Sequence, residues 1–386
     1  MCDWLPDSLQ EDLKLAWSFD LPSEGIGGIC ATRNYVIAGS RDITDTSDVF
    51  TCIDLSDGSE RWQLIYPTFG ENLDYGNSPR ATPMIAGEFV VLLGAFGQLT
   101  VVDLEGGEIV WQIDYQIEFG AEVPIWGFSG TPLIFETTVD SVARRLVLGQ
   151  PGTPEASLVA FDLETGEIVW QVDGRPPGYS SFVLADVKGT QQLIGYDATT
   201  VGGWDLSGNR LWELAPESEG DFNVPTPILV ERGLFLTTEN NGSRLFEFNE
   251  DGTIISAPVA TFPQLSPDTH TPVVVGEAIC GVDSGFFKID SFDLSLADEL
   301  KGREFLDYCS IVSDGESKVL VVSQSGIILL METDDEGIQV VSRNSEFQGA
   351  DIISHPAISG ELLLIRVREQ ICCVELAGRT NSTGRN

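Results

Sequence analysis

A hairpin unit that recurs four times before residue 213 constrains this 386-residue chain more than any other feature. It reads CIDLSDGSERW ending at Trp62, VVDLEGGEIVW ending at Trp111, AFDLETGEIVW ending at Trp170 and the one-residue-shorter GWDLSGNRLW ending at Trp212. Each copy places a glycine four residues before the tryptophan: Gly58, Gly107, Gly166 and Gly208. Alternating apolar residues ahead of the aspartate make a strand, D-L-x-x-G is a turn whose glycine supplies a positive φ, and the segment ending in tryptophan is the next strand. The flat indole can cover the face of a neighbouring repeat, so anchors at repeat spacing tie consecutive units together.

A second periodic mark precedes these anchors, an S/T-P or similar pair followed by apolar residues and a turn. It falls at Thr82, Thr131, Ser181, Thr226, Thr271, Ser310 and His355, and GICATRNYVIAG near Gly28 makes the eighth. The intervals run from 39 to 54 residues, the length of one four-stranded propeller blade. Later anchors decay: FNEDGTII and METDDEGIQVV keep their turn glycines at Gly252 and Gly337, and FDLSLADELKGREF is altered most. The spacing predicts outer strands near Trp62, Trp111, Trp170, Trp212, Ser256, Arg303, Val341 and Trp17.

The ends of the chain complete each other. CVELAGR is the first half of the hairpin with no tryptophan strand after it, and LKLAW at Trp17 is a second half with nothing before it. The expectation is an all-β, eight-bladed propeller of four-stranded antiparallel blades, one domain over residues 1–386. Residues 1–20 supply the strand that closes the last blade and removes the open edges of the sheet. Residues from about 379 to 386 read as a flexible tail, and a monomer is expected.

Composition narrows the function. The formal net charge is −39, from 60 acidic against 21 basic residues. Such a surface repels phosphate backbones and anionic lipid, so nucleic acid is excluded as a partner. Only five of the basic residues are lysine; the balance fits a saline setting as well as it fits a plain acidic surface. No window of about 18 uncharged apolar residues provides a transmembrane segment, and the N-terminal residues do not form a signal peptide as they stand. Cys2 beside Met1 has no apolar leader to suit lipidation. The seven cysteines are irregularly spaced and read as buried strand residues; Cys372 and Cys373 are adjacent in QICCVEL, which also suits a vicinal disulfide.

The segment Asp162 to Trp170 resembles the tryptophan-docking motif of pyrroloquinoline-quinone (PQQ)-like repeats, a propeller family that includes quinoprotein alcohol dehydrogenases and BamB-like outer-membrane assembly scaffolds. LDYGNSPRATP, PIWGFSGTPL and GDFNVPTPI also resemble PQQ-repeat proteins of planctomycete-type bacteria. In length and blade count the resemblance implies a non-enzymatic, BamB-like scaffold in the periplasm or cell envelope. Its partners would be proteins, among them outer-membrane assembly components, with no cofactor or metal. The alternatives are a PQQ- and calcium-dependent alcohol dehydrogenase and a small-molecule or glycan-binding propeller. A dehydrogenase needs an aromatic plane, a calcium cage and an aspartate base. Carboxylates are plentiful, Trp126 and Trp204 are not repeat anchors, and some dehydrogenases of the family set a cysteine pair like Cys372–Cys373 against the quinone. No segment, however, matches the enzymes' site motifs.

Nothing in the chain reads as catalytic: there are two histidines and no nucleophile elbow, P-loop, zinc spacing or dinucleotide fingerprint. His270 precedes Thr271 and His355 replaces the threonine of the same register, so both are expected at the start of innermost strands, near one mouth of the channel. Arg80, Trp126, Tyr179, Asn223 and Tyr308 are expected on the same rim. Together they form a candidate binding site, or they satisfy strand-end backbone groups and fill the channel.

Overall fold

The structure, a computed structural model, describes Cys2, residues 4–70 and residues 72–376; the tail expected from about residue 379 lies outside them. The strands form eight separate four-stranded sheets, each antiparallel throughout. These are the eight blades of a β-propeller. Blade 1 runs outward through Cys30–Ala31, Tyr35–Arg41, Ser47–Asp54 and Glu60–Pro67. Its innermost strand begins two residues after Gly28, and the same offset separates Thr82 from Met84 in blade 2 and His355 from Ala357 in blade 8. The middle strands are buried along their length because blades cover both their faces, whereas the outermost strands alternate buried and exposed.

Eight apolar clusters are found among the described residues, one in each seam between neighbouring blades. The hydrophobic core is thus a ring of wedges, and four of the seams share one docking device. The indole N–H of Trp62 donates to the Leu104 carbonyl of the next blade at 2.8 Å, that of Trp111 to Leu163 at 2.9 Å and that of Trp170 to Leu206 at 3.0 Å. Trp17 closes the circle by donating to Leu55 at 2.7 Å. Each indole lies on the turn glycine of the blade it docks. At Gly107 (φ +70°) an added Cβ would stand 2.5 Å from the Trp62 ring, so the glycine is required by both conformation and space.

Two seams use other means. Trp212 donates to Gln192 Oε1 in its own blade at 2.8 Å, and Gln192 Nε2 passes the contact on to the Gly252 carbonyl of blade 5 at 2.9 Å. In blade 6 a carboxylate stands where the first blades have the indole: Asp298 lies against Gly337 and accepts the Ile338 N–H at 2.8 Å.

Closure follows the two half-motifs. The strand Lys14–Asp20 pairs with Gln370–Glu375, with Trp17 opposite Cys373, and is the outermost strand of blade 8. The preceding residues extend the seal: Leu5, Leu9 and Leu13 join the cluster between blades 7 and 8, and Asn344 Nδ2 donates to the carbonyls of Gln10 and Glu11.

Two outer strands differ from expectation. In blade 5 pairing resumes at Ala260–Phe262 and not near Ser256, after a detour containing Pro258, which has no N–H to give a ladder. In blade 6 the outer strand is Leu296–Leu300, and Arg303 starts a short 3₁₀ turn. The motif aspartate there is Asp290, and Leu294 (φ 56°) occupies the left-handed position that glycine takes elsewhere, with its N–H bonded to the Asp290 carbonyl. That substitution hid the register.

Candidate functional site at the channel mouth

Antiparallel order puts two kinds of connection on one face of the ring: the turns between second and third strands, and the links from each outer strand to the next innermost strand. Those links are long and irregular, and they build the mouth of an axial cavity of about 420 Å³. The S/T register has a structural duty beside it. The Thr131 hydroxyl accepts the Thr82 N–H of the previous blade at 3.2 Å, Ser181 accepts from Thr131 at 3.0 Å and Thr271 from Thr226 at 2.9 Å. These hydroxyls stitch neighbouring blades around the channel.

Two residues before that register, every blade contributes to the cavity wall. Of the expected rim residues, Arg80, Tyr179 and Tyr308 stand there in blades 2, 4 and 7; Ile26, Ser129, Val224, Thr269 and Ile353 hold the equivalent place in the others. Trp126, His270 and His355 also line the cavity. Asn223 does not. It is buried at φ 53°, gives its amide to the Asp197 carbonyl at 3.0 Å and receives the Ser180 N–H at 2.9 Å, while its neighbours Phe222 and Val224 face the cavity. Sequence reasoning missed Tyr75, Phe222, Glu239 and Asp268. The repeat register would have found Ile26, Ser129, Val224, Thr269 and Ile353, but no periodic signal marks the other four.

One wall is aromatic. Trp126 packs on Tyr179 with ring centroids 5.2 Å apart and on Phe222 at 4.2 Å, both tilted. Arg80, in blade 2, is buried and donates through Nη2 to the carbonyls of Asp74 at 2.7 Å and Gly76 at 2.8 Å, which holds the loop bearing Tyr75. Its Nε has no partner among the described residues, and burial lowers its pKa to about 10. The Tyr308 hydroxyl is pushed up to about 12 by the Tyr75 side chain, by burial and by the Asp268 carboxylate. His270 Nε2 accepts the Val282 N–H at 3.1 Å, and burial, with a smaller contribution from His355, pulls its pKa down to about 4. A ring whose Nε2 accepts is neutral and carries its proton on Nδ1. Burial also lowers the pKa of His355, whose Nδ1 lies 3.3 Å from the Pro356 carbonyl.

The family model described as outer membrane protein assembly factor BamB matches residues 10–121 and 45–291, well over half of the chain. The protein belongs to the BamB family of PQQ-type repeats. No curated protein matches the sequence. Among solved structures, BamB from Moraxella catarrhalis is 16% identical with a TM-score of 0.63, over 97% of this chain and 100% of that one. A quinohemoprotein alcohol dehydrogenase from Comamonas testosteroni is 13% identical with a TM-score of 0.62, over 97% of this chain and 78% of that one. The computationally designed Ika8 protein is 10% identical with a TM-score of 0.61, over 94% and 99%. Identities this low show a shared fold. They leave chemistry to the site.

No group of three or more histidine, cysteine, aspartate or glutamate side chains able to hold a metal occurs among the described residues. Cys372 and Cys373 are free thiols in the third strand of blade 8, where Cys373 joins the cluster around Trp17 and not the cavity wall. Trp204 packs within blade 4 between Phe182 and the Arg210 guanidinium, also away from the cavity.

Proposed function

We propose that this protein is a non-enzymatic, monomeric binding propeller of the cell envelope that holds a protein partner against the channel mouth. The observation that carries the reading is a set of exposed apolar residues on the face that bears the mouth, two of which, Tyr75 and Phe222, line the cavity itself. Phe69, Tyr75, Ile117, Ile125, Phe222 and Leu306 all sit on the links between blades, hence on one face, and all are exposed. Large exposed apolar side chains gathered on one face mark interaction surfaces, and aromatic residues dominate their energetics. Membership of the BamB family supports a protein partner and an envelope setting. The fold shared with a quinohemoprotein alcohol dehydrogenase supports a quinoprotein enzyme as the alternative reading.

The test is site-specific photocrosslinking. With benzoylphenylalanine in place of Phe222 at the mouth, a defined adduct with an envelope protein is expected. With the same group in place of Phe292, exposed on the opposite face, none is expected. Equal labelling from both faces, no adduct from either, or PQQ- and calcium-dependent oxidation of alcohols with an artificial acceptor dye would overturn the reading.

A further inference from the structure

The channel mouth carries opposite polarity on opposite sides of the ring. Arg80 belongs to blade 2 and lines the cavity with a positive guanidinium whose Nη2 is held by the Asp74 and Gly76 carbonyls and whose Nε is buried. Asp268 leads into blade 6, directly across a ring of eight, and Glu239 lies in the adjoining blade 5. Both carboxylates line the cavity, are exposed at its mouth and have neither an ion-pair nor a hydrogen-bond partner among the described residues. Between the two poles stands the aromatic wall of Trp126, Tyr179 and Phe222.

Resting on the mouth reading above, we propose that the cavity takes a lysine or arginine side chain of the partner polypeptide, seated between the aromatic wall and the carboxylates of Asp268 and Glu239. A cation over aromatic faces is attracted by their negative faces, and a partly enclosed site strengthens its pairing with carboxylates. The Tyr308 hydroxyl, pushed up first by its hydrogen bond with Tyr75 and by burial, also feels the Asp268 and Glu239 charges, which face the same part of the mouth. His270 does not oppose a cation, because burial keeps it neutral at pH 7. Arg80 is the one arginine or lysine among the lining residues and stands at the far pole. A chain of net charge −39 attracts basic partners over long range, which favours encounter with such a segment.

Calorimetry on the full chain at low salt tests this with acetyl-Leu-Arg-Leu-amide and its citrulline counterpart, which keeps the shape and removes the charge. The arginyl peptide is expected to bind about tenfold or more tightly, a gap worth one decade of affinity. The double variant Asp268→Asn with Glu239→Gln should erase that gap with an unchanged Tm, since both side chains are exposed and unpaired. Equal binding of the two peptides, preference for the aspartyl analogue, or no binding of either at millimolar concentration overturns the proposal. Butylguanidinium binding as tightly as the peptide would also overturn it, by assigning the site to a free amine-like solute. Crosslinking from Phe222 that persists while the charge of the peptide is immaterial would leave the docking face standing and remove only the basic anchor.

Discussion

Replacing Trp17 by alanine probes the seam on which ring closure depends. The indole is 8% exposed, its N–H reaches the Leu55 carbonyl at 2.7 Å, and its ring lies on Gly58. A tryptophan buries about 150–250 Å², which at ~25 cal/mol per Å² is roughly 4–6 kcal/mol. Measured truncations of large aromatic residues cost about 3–5 kcal/mol. The orphaned carbonyl adds about 1 kcal/mol. A loss near 4–5 kcal/mol is therefore expected, and Trp111→Ala, with the same geometry inside the ring, should cost a similar amount. The two variants should differ in where they open. Both tryptophans sit on outermost strands paired on one side only, but Ile109–Asp114 is joined to its partner Gln98–Asp103 by the turn at Gly107, whereas Lys14–Asp20 is held to Gln370–Glu375 by pairing alone, so losing its anchor should free it locally. Amide exchange at residues 14–20 should then accelerate by about a thousandfold, the equivalent of ~4 kcal/mol. Hydrogen exchange read by mass spectrometry, with denaturant unfolding in parallel, checks both numbers. A loss below about 1 kcal/mol, or unchanged exchange at residues 14–20, would refute the closure argument.

Two further outcomes are expected. Gln192→Leu removes both halves of the relay between Trp212 and Gly252, leaving a buried indole N–H and a buried carbonyl unpaired; the expected cost is about 2–4 kcal/mol in denaturant unfolding, and a change under half of that would mean the relay is idle. His270 gives a pH signature: its folded pKa near 4 lies below the ordinary value of 6.5, so between those values the unfolded chain binds the proton and the folded one does not. Its contribution is intact above pH 6.5 and is lost progressively down to pH 4, roughly 3 kcal/mol in all. The difference in unfolding free energy between the native chain and His270→Gln, followed from pH 7 to 4, should shrink by about that amount, and a flat difference would show that His270 titrates normally.

The blade count, the closing strand and the indole seams were legible in the residues because each is a local pattern repeated at fixed spacing. Where the pattern loses its marker it misleads. Leu294 in a glycine's place shifted the expected outer strand of blade 6 to Arg303, and Pro258 displaced that of blade 5 from Ser256. At the mouth, six of the seven expected residues meet in one cavity, because all of them lie on the links that lead into innermost strands; Arg80, Tyr179 and Tyr308 share one register position there, and Trp126, His270 and His355 do not. Asn223 turned inward because its left-handed backbone lets its amide cap Asp197.

By itself the sequence determined a closed ring of eight blades, since a strand period, a turn glycine and an indole anchor are properties of short segments that need no knowledge of distant ones. Only the tertiary structure decided which side chains share the axis and what faces them. Arg80 opposite Asp268, the Trp126–Phe222 contact and the cysteine pair lying off the cavity all depend on loops without periodicity and on the curvature of the ring. Such positions are set by packing between residues far apart in the chain, and no spacing rule records them.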